Sequence, residues 1–300
     1  MATTISRRSF TLSAACACAA GGLLADDPAA AQQAPPFATR EIAPGLYVFR
    51  CQGHQAMFVA TPEGVIATDP IGLRRPQAVT TYIEEIRKVS PAPIRYLAYS
   101  HHRFDHIAGG KPFKDAGATV VAHHRARDRL ARLGNPGVVP VDEAVPDGGR
   151  AIELGGTRLE LHYVGRNHSD NSLVMRLPQH RLIFAVDRIP IESVGFRNMP
   201  DSCLPDWLEG LDRVLAMEWD HLLPGHPNAG GRLGTREDVR NFKQCLLDVS
   251  EAARRMAQEG KCFDQAMHEV RLPRYERWTM YEARLPGNVE RFCGFWNNGI

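Results

Sequence analysis

The segment that most restricts how this chain can fold is the run Ser100-His101-His102-Arg103-Phe104-Asp105-His106-Ile107-Ala108-Gly109-Gly110. It follows Ile94–Tyr99, an apolar stretch that reads as a buried strand. Histidines 101, 102 and 106 and Asp105 therefore leave the end of that strand on a loop at one rim of a sheet. Imidazole nitrogen and carboxylate oxygen are borderline-to-hard ligands, suited to zinc or a similar divalent ion. A chain built this way needs other strands to end at the same rim, because one loop cannot complete a metal shell.

The pattern on either side supplies such strands. Gly45–Phe49, Ala56–Ala60 and Gly64–Asp69 are short β-branched and aromatic runs bounded by turn residues, and read as a meander. Pro76–Val89 carries Val79, Ile83 and Ile86 at helical spacing, and a second helix is expected over His124–Leu133. Strands are expected at Ala151–Leu154, Arg158–Tyr163, Ser172–Arg176 and Arg181–Ala185, with helices near Cys203–Met217 and Glu237–Glu259. Two strand-rich halves, each flanked by helices, imply an α/β (α+β) chain arranged as a four-layer αββα sandwich.

The histidine run resembles the hallmark of the metallo-β-lactamase superfamily, His-x-His-x-Asp-His followed by a small-residue helix start. Further residues match in order. Asp69 in Thr68-Asp69-Pro70 corresponds to the acidic residue ending an early strand, which braces the metal loop in that fold. His168 in Gly165-Arg166-Asn167-His168 corresponds to the next metal histidine, and Asp187 in Phe184-Ala185-Val186-Asp187 to the aspartate shared by two metals. His226 in Leu223-Pro224-Gly225-His226-Pro227 corresponds to the last ligand. The resemblance spans roughly residues 40 to 230. His54, His123, His124, His221 and Asp170 lie near these motifs in sequence only and are assigned surface or supporting places.

This chain departs from the hallmark at its second histidine, which is Arg103. Arginine stays protonated and offers no lone pair, so it cannot ligate a cation. The resemblance implies a first site of His101, residue 103 and His168, of which two histidines remain. It implies a second site of Asp105, His106 and His226, with Asp187 shared, which is whole. A guanidinium about 4 Å from a divalent ion is repelled by roughly 8 kcal/mol at an effective dielectric near 20. The first position is therefore expected to be empty or filled by Arg103 itself. His102 is a poor replacement, since neighbours on an extended segment point in opposite directions.

One zinc per chain follows from this ligand set, held by Asp105, His106, His226 and Asp187, with Arg103, Asp187, His101 and His168 as the catalytic candidates. Arg103 would replace the first metal as an oxyanion stabiliser or carboxylate clamp, and His101 and His168 would be free to donate protons or to remain hydrogen-bonded relics. Hydrolysis of an ester, lactone, amide or activated aryl substituent is the expected reaction, with carbapenem-type lactam cleavage one case of it. Two other readings stay open. His101, His168 and Asp187 make a two-histidine, one-carboxylate set similar to that of the iron-dependent persulfide dioxygenases. A metal-free protein could instead use Arg103 to hold a small anion.

Composition and the N-terminus bound the partners. With 300 residues, 44% of them hydrophobic, the chain is neither disordered nor fibrous. A net charge of +2 without a long single-sign run argues against nucleic acid and leaves a small, in one reading anionic, substrate. Oligomeric state is not legible. Ser6-Arg7-Arg8-Ser9-Phe10 is a twin-arginine pattern running into a small-residue stretch too short to be a membrane span, and Ala29-Ala30-Ala31 offers a cleavage site. The expected layout is a signal peptide over 1–31 and, over 32–300, one metallo-β-lactamase-like domain with a C-terminal helical extension, periplasmic or secreted. Of seven cysteines, Cys16 and Cys18 fall in the leader, without a convincing lipobox. The others, Cys51, Cys203, Cys245, Cys262 and Cys293, form no Cys-x-x-Cys pair; one or two disulfides are permitted, but a cysteine zinc site is not expected.

Overall fold

Alternation along the early strands decides which layer each side chain enters. In the second and third strands, Phe49, Cys51, Ala56 and Phe58 face one side of the sheet and Leu46, Val48, Met57 and Val59 the other. Both faces are buried, so this sheet must be covered twice. The computed structural model describes residues 36–299 and meets that demand with two sheets and two helical layers.

The first sheet runs β1 (Phe37–Ala43), β2 (Leu46–Cys51), β3 (His54–Thr61), β4 (Gly64–Thr68), β5 (Ile94–Ala98), β6 (Thr119–His123) and β7 (Glu143–Val145), in that spatial order. Pairing is antiparallel as far as β4 and parallel from β4 to β7. Its outer face is covered by α1 (Pro76–Val89), α3 (Lys111–Asp115) and α4 (His124–Leu133), while α2 (Phe104–Ile107) is a single turn in the histidine loop. The second sheet has the order β12 (His221–Pro224), β11 (Leu182–Ala185), β10 (Leu173–Leu177), β9 (Thr157–Tyr163), β8 (Arg150–Leu154). Only β11 and β12 are parallel in it. Its outer face carries α5 (Leu204–Ala216), α6 (Arg236–Gln258), α7 (Asp264–Glu269) and α8 (Tyr281–Asn298).

Each helix has a local reason to start where it does. Pro76 opens α1 at a position that needs no amide hydrogen. Thr235 and Asp238 cap α6 reciprocally, the Thr235 hydroxyl accepting from the Asp238 amide and the Asp238 carboxylate from the Thr235 amide. The four-layer αββα expectation holds, and α1 and α4 fall on the expected residues. The pattern analysis did not assign β1, β6, β7, β12 or the helices α7 and α8.

Parallel pairing puts the C-terminal ends of β4, β5, β11 and β12 at one rim, and the antiparallel partners β3 and β10 begin there. The two sheets are tied at this rim by hydrogen bonds from the Gln55 amide to the Gly225 carbonyl (2.8 Å) and from the Leu173 amide to the Ser100 carbonyl (2.8 Å). The expected leader and its cleavage near Gln32 lie outside the described residues. All five cysteines from Cys51 onward are free thiols, so the permitted disulfides are not formed. Among the described residues no helix is long and apolar enough to cross a membrane.

Phe184 lies in the layer between the sheets and is 0% exposed. Replacing it by alanine opens a cavity that both sheets line, and the expected cost is about 3–5 kcal/mol of unfolding free energy, read as a lower urea midpoint with an unchanged slope.

Candidate metal centre

Six elements deliver side chains to the shared rim. Asp69 follows β4, His101 to His106 follow β5, His168 precedes β10, Asp187 follows β11, His226 follows β12 and His54 opens β3. Asp69 and Asp187 hold φ of 28° and 59°, left-handed conformations that L-residues rarely adopt, so the turns carrying these two carboxylates are strained. The Asp69 turn is zipped to the histidine loop by hydrogen bonds from the Ile71 amide to the His106 carbonyl (2.7 Å) and from the Gly72 amide to the Ala108 carbonyl (2.8 Å). Gly109, at φ 92°, lets the two segments meet, since a Cβ there would lie 3.2 Å from the Gly72 Cα and 2.5 Å from Val79.

Asp187 is central. Its Oδ1 lies 2.9 Å from His226 Nε2 and 3.3 Å from His106 Nε2, and its Oδ2 lies 3.4 Å from His101 Nε2 and 3.6 Å from His168 Nε2. One carboxylate thus faces two pairs of ring nitrogens. Two groups of convergent ligand atoms result, one of His101, His168 and Asp187 and one of His54, Asp105, His106 and His226.

Hydrogen bonds behind the rings fix which nitrogen carries a lone pair. The Gly53 carbonyl can only accept, so His226 Nδ1 donates to it (2.5 Å) and Nε2 faces the site. Asn167 Oδ1 likewise takes the Nδ1 proton of His168 (2.6 Å), the amide being oriented by its own donation to Ser172 Oγ (2.7 Å). His54 behaves differently. Arg75 can only donate, so it occupies His54 Nδ1 (2.7 Å), and His54 Nε2 must donate to Asp105 Oδ2 (3.1 Å). His54 thereby orients the Asp105 carboxylate and leaves Asp105, His106 and His226 as the ligand atoms of its group. Arg75 also donates to the Asp105 carbonyl (2.8 Å), clamping the residue from both ends.

The charges suit a cation. Burial pulls His101 down to about 3 and also lowers His168, so both imidazoles are neutral at ordinary pH and present lone pairs. In the neutral form each keeps a single N–H, which in His168 is the Nδ1 proton given to Asn167. Burial alone would also lower His106, but the carboxylates of Asp187, Asp105 and Asp69 outweigh it and raise that imidazole to about 9. Asp187 is held well below the usual carboxylate range, burial opposing and the charges of His106 and His226 prevailing. His101 Nε2, His168 Nε2 and Asp187 Oδ1 are buried without a hydrogen-bond partner. Unpartnered lone pairs converging on a carboxylate fit a divalent cation, and the proton that the carboxylates draw onto His106 is what such a cation would displace.

Arg103 is not at the first position. Its guanidinium donates to the His168 carbonyl (2.9 Å) and to Asp201 Oδ2 (3.2 Å), and makes no ion pair with Asp187. The expectation that it fills the missing metal's place is corrected accordingly: Asp201 supplies an anion on the outer side of the loop, and the arginine turns toward it. His102 points away from the centre toward Asn171 and Arg129, so it does not replace the lost ligand. Asp69 braces, as expected, with Oδ1 accepting from the Ser100 amide (2.8 Å) and Oδ2 3.8 Å from His106 Nδ1. Burial raises its carboxyl to about 6.

Sequence reasoning left His54 among the supporting residues and did not single out Arg75, Asn167 or Arg188. Arg188 is 1% exposed and donates to the Gly165 carbonyl (2.7 Å), tying the Asp187 turn to the loop that carries His168. Its position directly after Asp187 was the one available signal. His123 and His124 pair with Asp147 in a separate cluster, and Asp170 pairs with Arg129.

Asp69→Asn keeps the acceptor for Ser100 but turns a neutral amide toward His106. The expected outcome is metal affinity about ten- to hundredfold weaker, measured by competition with a chromogenic chelator.

Comparison with known proteins agrees with this geometry. Residues 65–198 match the model of the metallo-beta-lactamase superfamily. The chain is 25% identical over 196 residues to the 2,4-dinitroanisole O-demethylase subunit alpha of Nocardioides sp. (strain JS1661), which covers 63% of this chain and 58% of that protein. It spans between 53% and 58% of the length of the curated relatives it matches. Among solved structures, the inverting sec-alkylsulfatase Pisa1 from Pseudomonas sp. superposes with a TM-score of 0.68 at 16% identity, covering 87% of this chain and 50% of that one. The DIM-1 metallo-beta-lactamase superposes with a TM-score of 0.60 at 16% identity, covering 70% and 96%. At these identities the structural likeness is one of fold. The family match over residues 65–198, the two-sheet architecture and the order of the rim residues agree in giving this chain the metallo-β-lactamase fold.

Proposed function

We propose that this protein is a metal-dependent hydrolase of small molecules, with one tightly held zinc at Asp105, His106, His226 and Asp187 and a weaker cation position at His101, His168 and Asp187. The observation that carries the reading is the Asp187 carboxylate, shared between two pairs of ring nitrogens: His101 Nε2 and His168 Nε2, which hold no hydrogen-bond partner, and His106 Nε2 and His226 Nε2, which lie 3.3 Å from one another. A divalent ion bound there supplies Lewis acidity and lowers the pKa of water. His54 and Arg75 hold Asp105 in one orientation, Gly53 fixes the tautomer of His226, and Asn167 fixes that of His168. Asp187, shared by both positions, would complete the coordination or orient the water. Arg103 acts by position, fastening the His168 backbone, and its charge weakens cation binding at the adjacent position.

The relatives carry names for cleavage of an aryl ether methyl group and of a sulfate ester, and the DIM-1 structure that of a lactamase. Bonds from carbon or sulfur to a good leaving group suit the same centre, so the ester, lactone, amide and activated aryl classes all remain within the proposal. A mononuclear iron reading has one observation in its favour, the unpartnered His101, His168 and Asp187 set. Iron in the purified protein and oxygen-dependent turnover would select it over hydrolysis.

Metal analysis tests the proposal. Wild type is expected to retain about one zinc per chain after dialysis, and His226→Ala or Asp105→Ala to lose it. Arg103→His restores the missing imidazole and removes a positive charge, so retained zinc should rise toward two. Two equally tight zinc ions in wild type would overturn the effect assigned to Arg103.

We further propose, from the twin-arginine pattern at Arg7-Arg8 and the small residues at Ala29–Ala31, that the protein is exported to the periplasm or beyond. Replacing Arg7 and Arg8 by lysine should leave full-length precursor inside the cell, detected by fractionation and immunoblot. Normal export of that double variant would refute the localisation.

A further inference from the structure

The loop that follows Asp187 carries an unusual grouping. Phe196 is 56% exposed, and two guanidiniums lie over its ring, Arg284 at 5.0 Å from the ring centroid and Arg197 at 5.5 Å. Other arginines of this region are spoken for: Arg103 pairs with Asp201, Arg166 with Asp206, and Arg291 donates to Ser202. Neither Arg197 nor Arg284 has an ion-pair or side-chain hydrogen-bond partner among the described residues. Like charges brought together on an apolar ring without an anion repel, and an arrangement of that kind is stabilised by an anion between them.

The grouping is held in place rather than drawn together by chance rotamers. Asn288 of α8 donates to the carbonyls of Gly195 (3.1 Å) and Arg197 (2.5 Å), so the helix that carries Arg284 also fixes the loop that carries Phe196 and Arg197. Gly287 permits the contact, because a Cβ there would lie 3.1 Å from the Arg197 carbonyl. The base of the loop is fastened where the Thr279 amide donates to the Glu192 carbonyl (2.7 Å) and Ser193 Oγ to the Thr279 carbonyl (3.1 Å). Arg284 is half-buried and its guanidinium is shifted down, first by burial and then by the charge of Arg197. The loop that carries Phe196 and Arg197 leaves from Asp187 and returns at Asp201, whose carboxylate pairs with Arg103 (3.2 Å), and Arg103 in turn donates to the His168 carbonyl (2.9 Å), so both ends of the loop are fastened at the centre.

We propose that Phe196, Arg197 and Arg284 form the substrate-recognition subsite of this centre and that they take an oxyanion, a carboxylate or sulfate, joined to an apolar body. The inference rests on the reading of the Asp187 centre as the reacting site and adds the class of substrate. The two guanidiniums bind the oxyanion, and the exposed face of Phe196 covers the apolar part. α8 thus contributes to specificity although it lies far along the chain from every metal-ligand candidate.

The test is calorimetric titration of 4-nitrobenzoate and 4-nitrobenzamide, a matched anionic and neutral pair, into the metal-loaded wild-type chain and into Arg284→Gln, Arg284→Lys and the Arg197→Gln/Arg284→Gln double variant. Wild type is expected to bind the carboxylate at least about tenfold more tightly than the amide. The double variant should weaken carboxylate binding about ten- to hundredfold, with metal content equal to wild type, and Arg284→Lys should retain part of the preference. Equal binding of the pair by wild type, or an undiminished preference in a folded double variant, overturns the proposal. Turnover is scored separately on a carboxylate-bearing and a neutral 4-nitrophenyl ester. A carboxylate preference in binding without any turnover would sink the hydrolase reading and keep the subsite, whereas turnover with no anion preference would sink the subsite and keep the hydrolase.

Discussion

The Asp187 carboxylate, held between the His106–His226 pair and the His101–His168 pair, is the interaction on which the centre depends. A buried carboxylate is stable only beside positive charge or hydrogen-bond donors. His168 and His226 turn lone pairs toward it, their Nδ1 protons being committed to Asn167 and Gly53, so the compensating charge has to come from a proton on His106 or from a bound cation. Without a cation the cluster draws a proton onto His106. With one, the same nitrogens and oxygens become a ligand set. The backbone strain at Asp187 and Asp69 is concentrated in the turns that aim these carboxylates.

The scaffold explains why that strain can be held. The two sheets share a dense inter-sheet core, and their strand ends are cross-linked at the rim by Gln55–Gly225 and Leu173–Ser100 hydrogen bonds. Outside the ligands, a ring of groups fixes orientation: Asp69 on the histidine loop, Arg75 and His54 on Asp105, Asn167 on His168, and Arg188 on the loop that carries it. Each of these contacts removes a rotamer or tautomer the ligand would otherwise sample. Ligands held in one arrangement bind metal more tightly than ligands that must be ordered on binding.

Arg103 shows how one substitution redistributes charge without emptying a site. The arginine cannot ligate, yet it does not collapse onto Asp187, because Asp201 and the His168 carbonyl offer it a more exposed resting place. The first position therefore keeps three ligand atoms and gains a nearby positive charge. The loop that supplies Asp201 to Arg103 also carries Phe196 and Arg197 toward α8.

Much of the fold and most of the ligand set were legible in the sequence, because both are written in local patterns. Alternation fixed β2 to β4, helical spacing fixed α1 and α4, and motifs at strand ends marked Asp69, His101, Asp105, His106, His168, Asp187 and His226. β7 and β12 were too short to assert a period, β1 is mixed, and β6 is a short continuous apolar run without alternation. The arrangement of partners was decided only by the tertiary structure. The direction of the Arg103 guanidinium depends on Asp201, which is 98 residues away in the chain, and the meeting of Arg284 with Phe196 depends on α8 packing against the β11 loop. His54 could not be told from a surface histidine until Arg75 was seen to occupy one of its nitrogens and Asp105 the other. Residue type determines what a side chain can donate or accept, and spacing determines which strand end it leaves. Which partner it meets is set by long-range packing, where the chain brings together atoms whose separation in sequence carries no information about their distance.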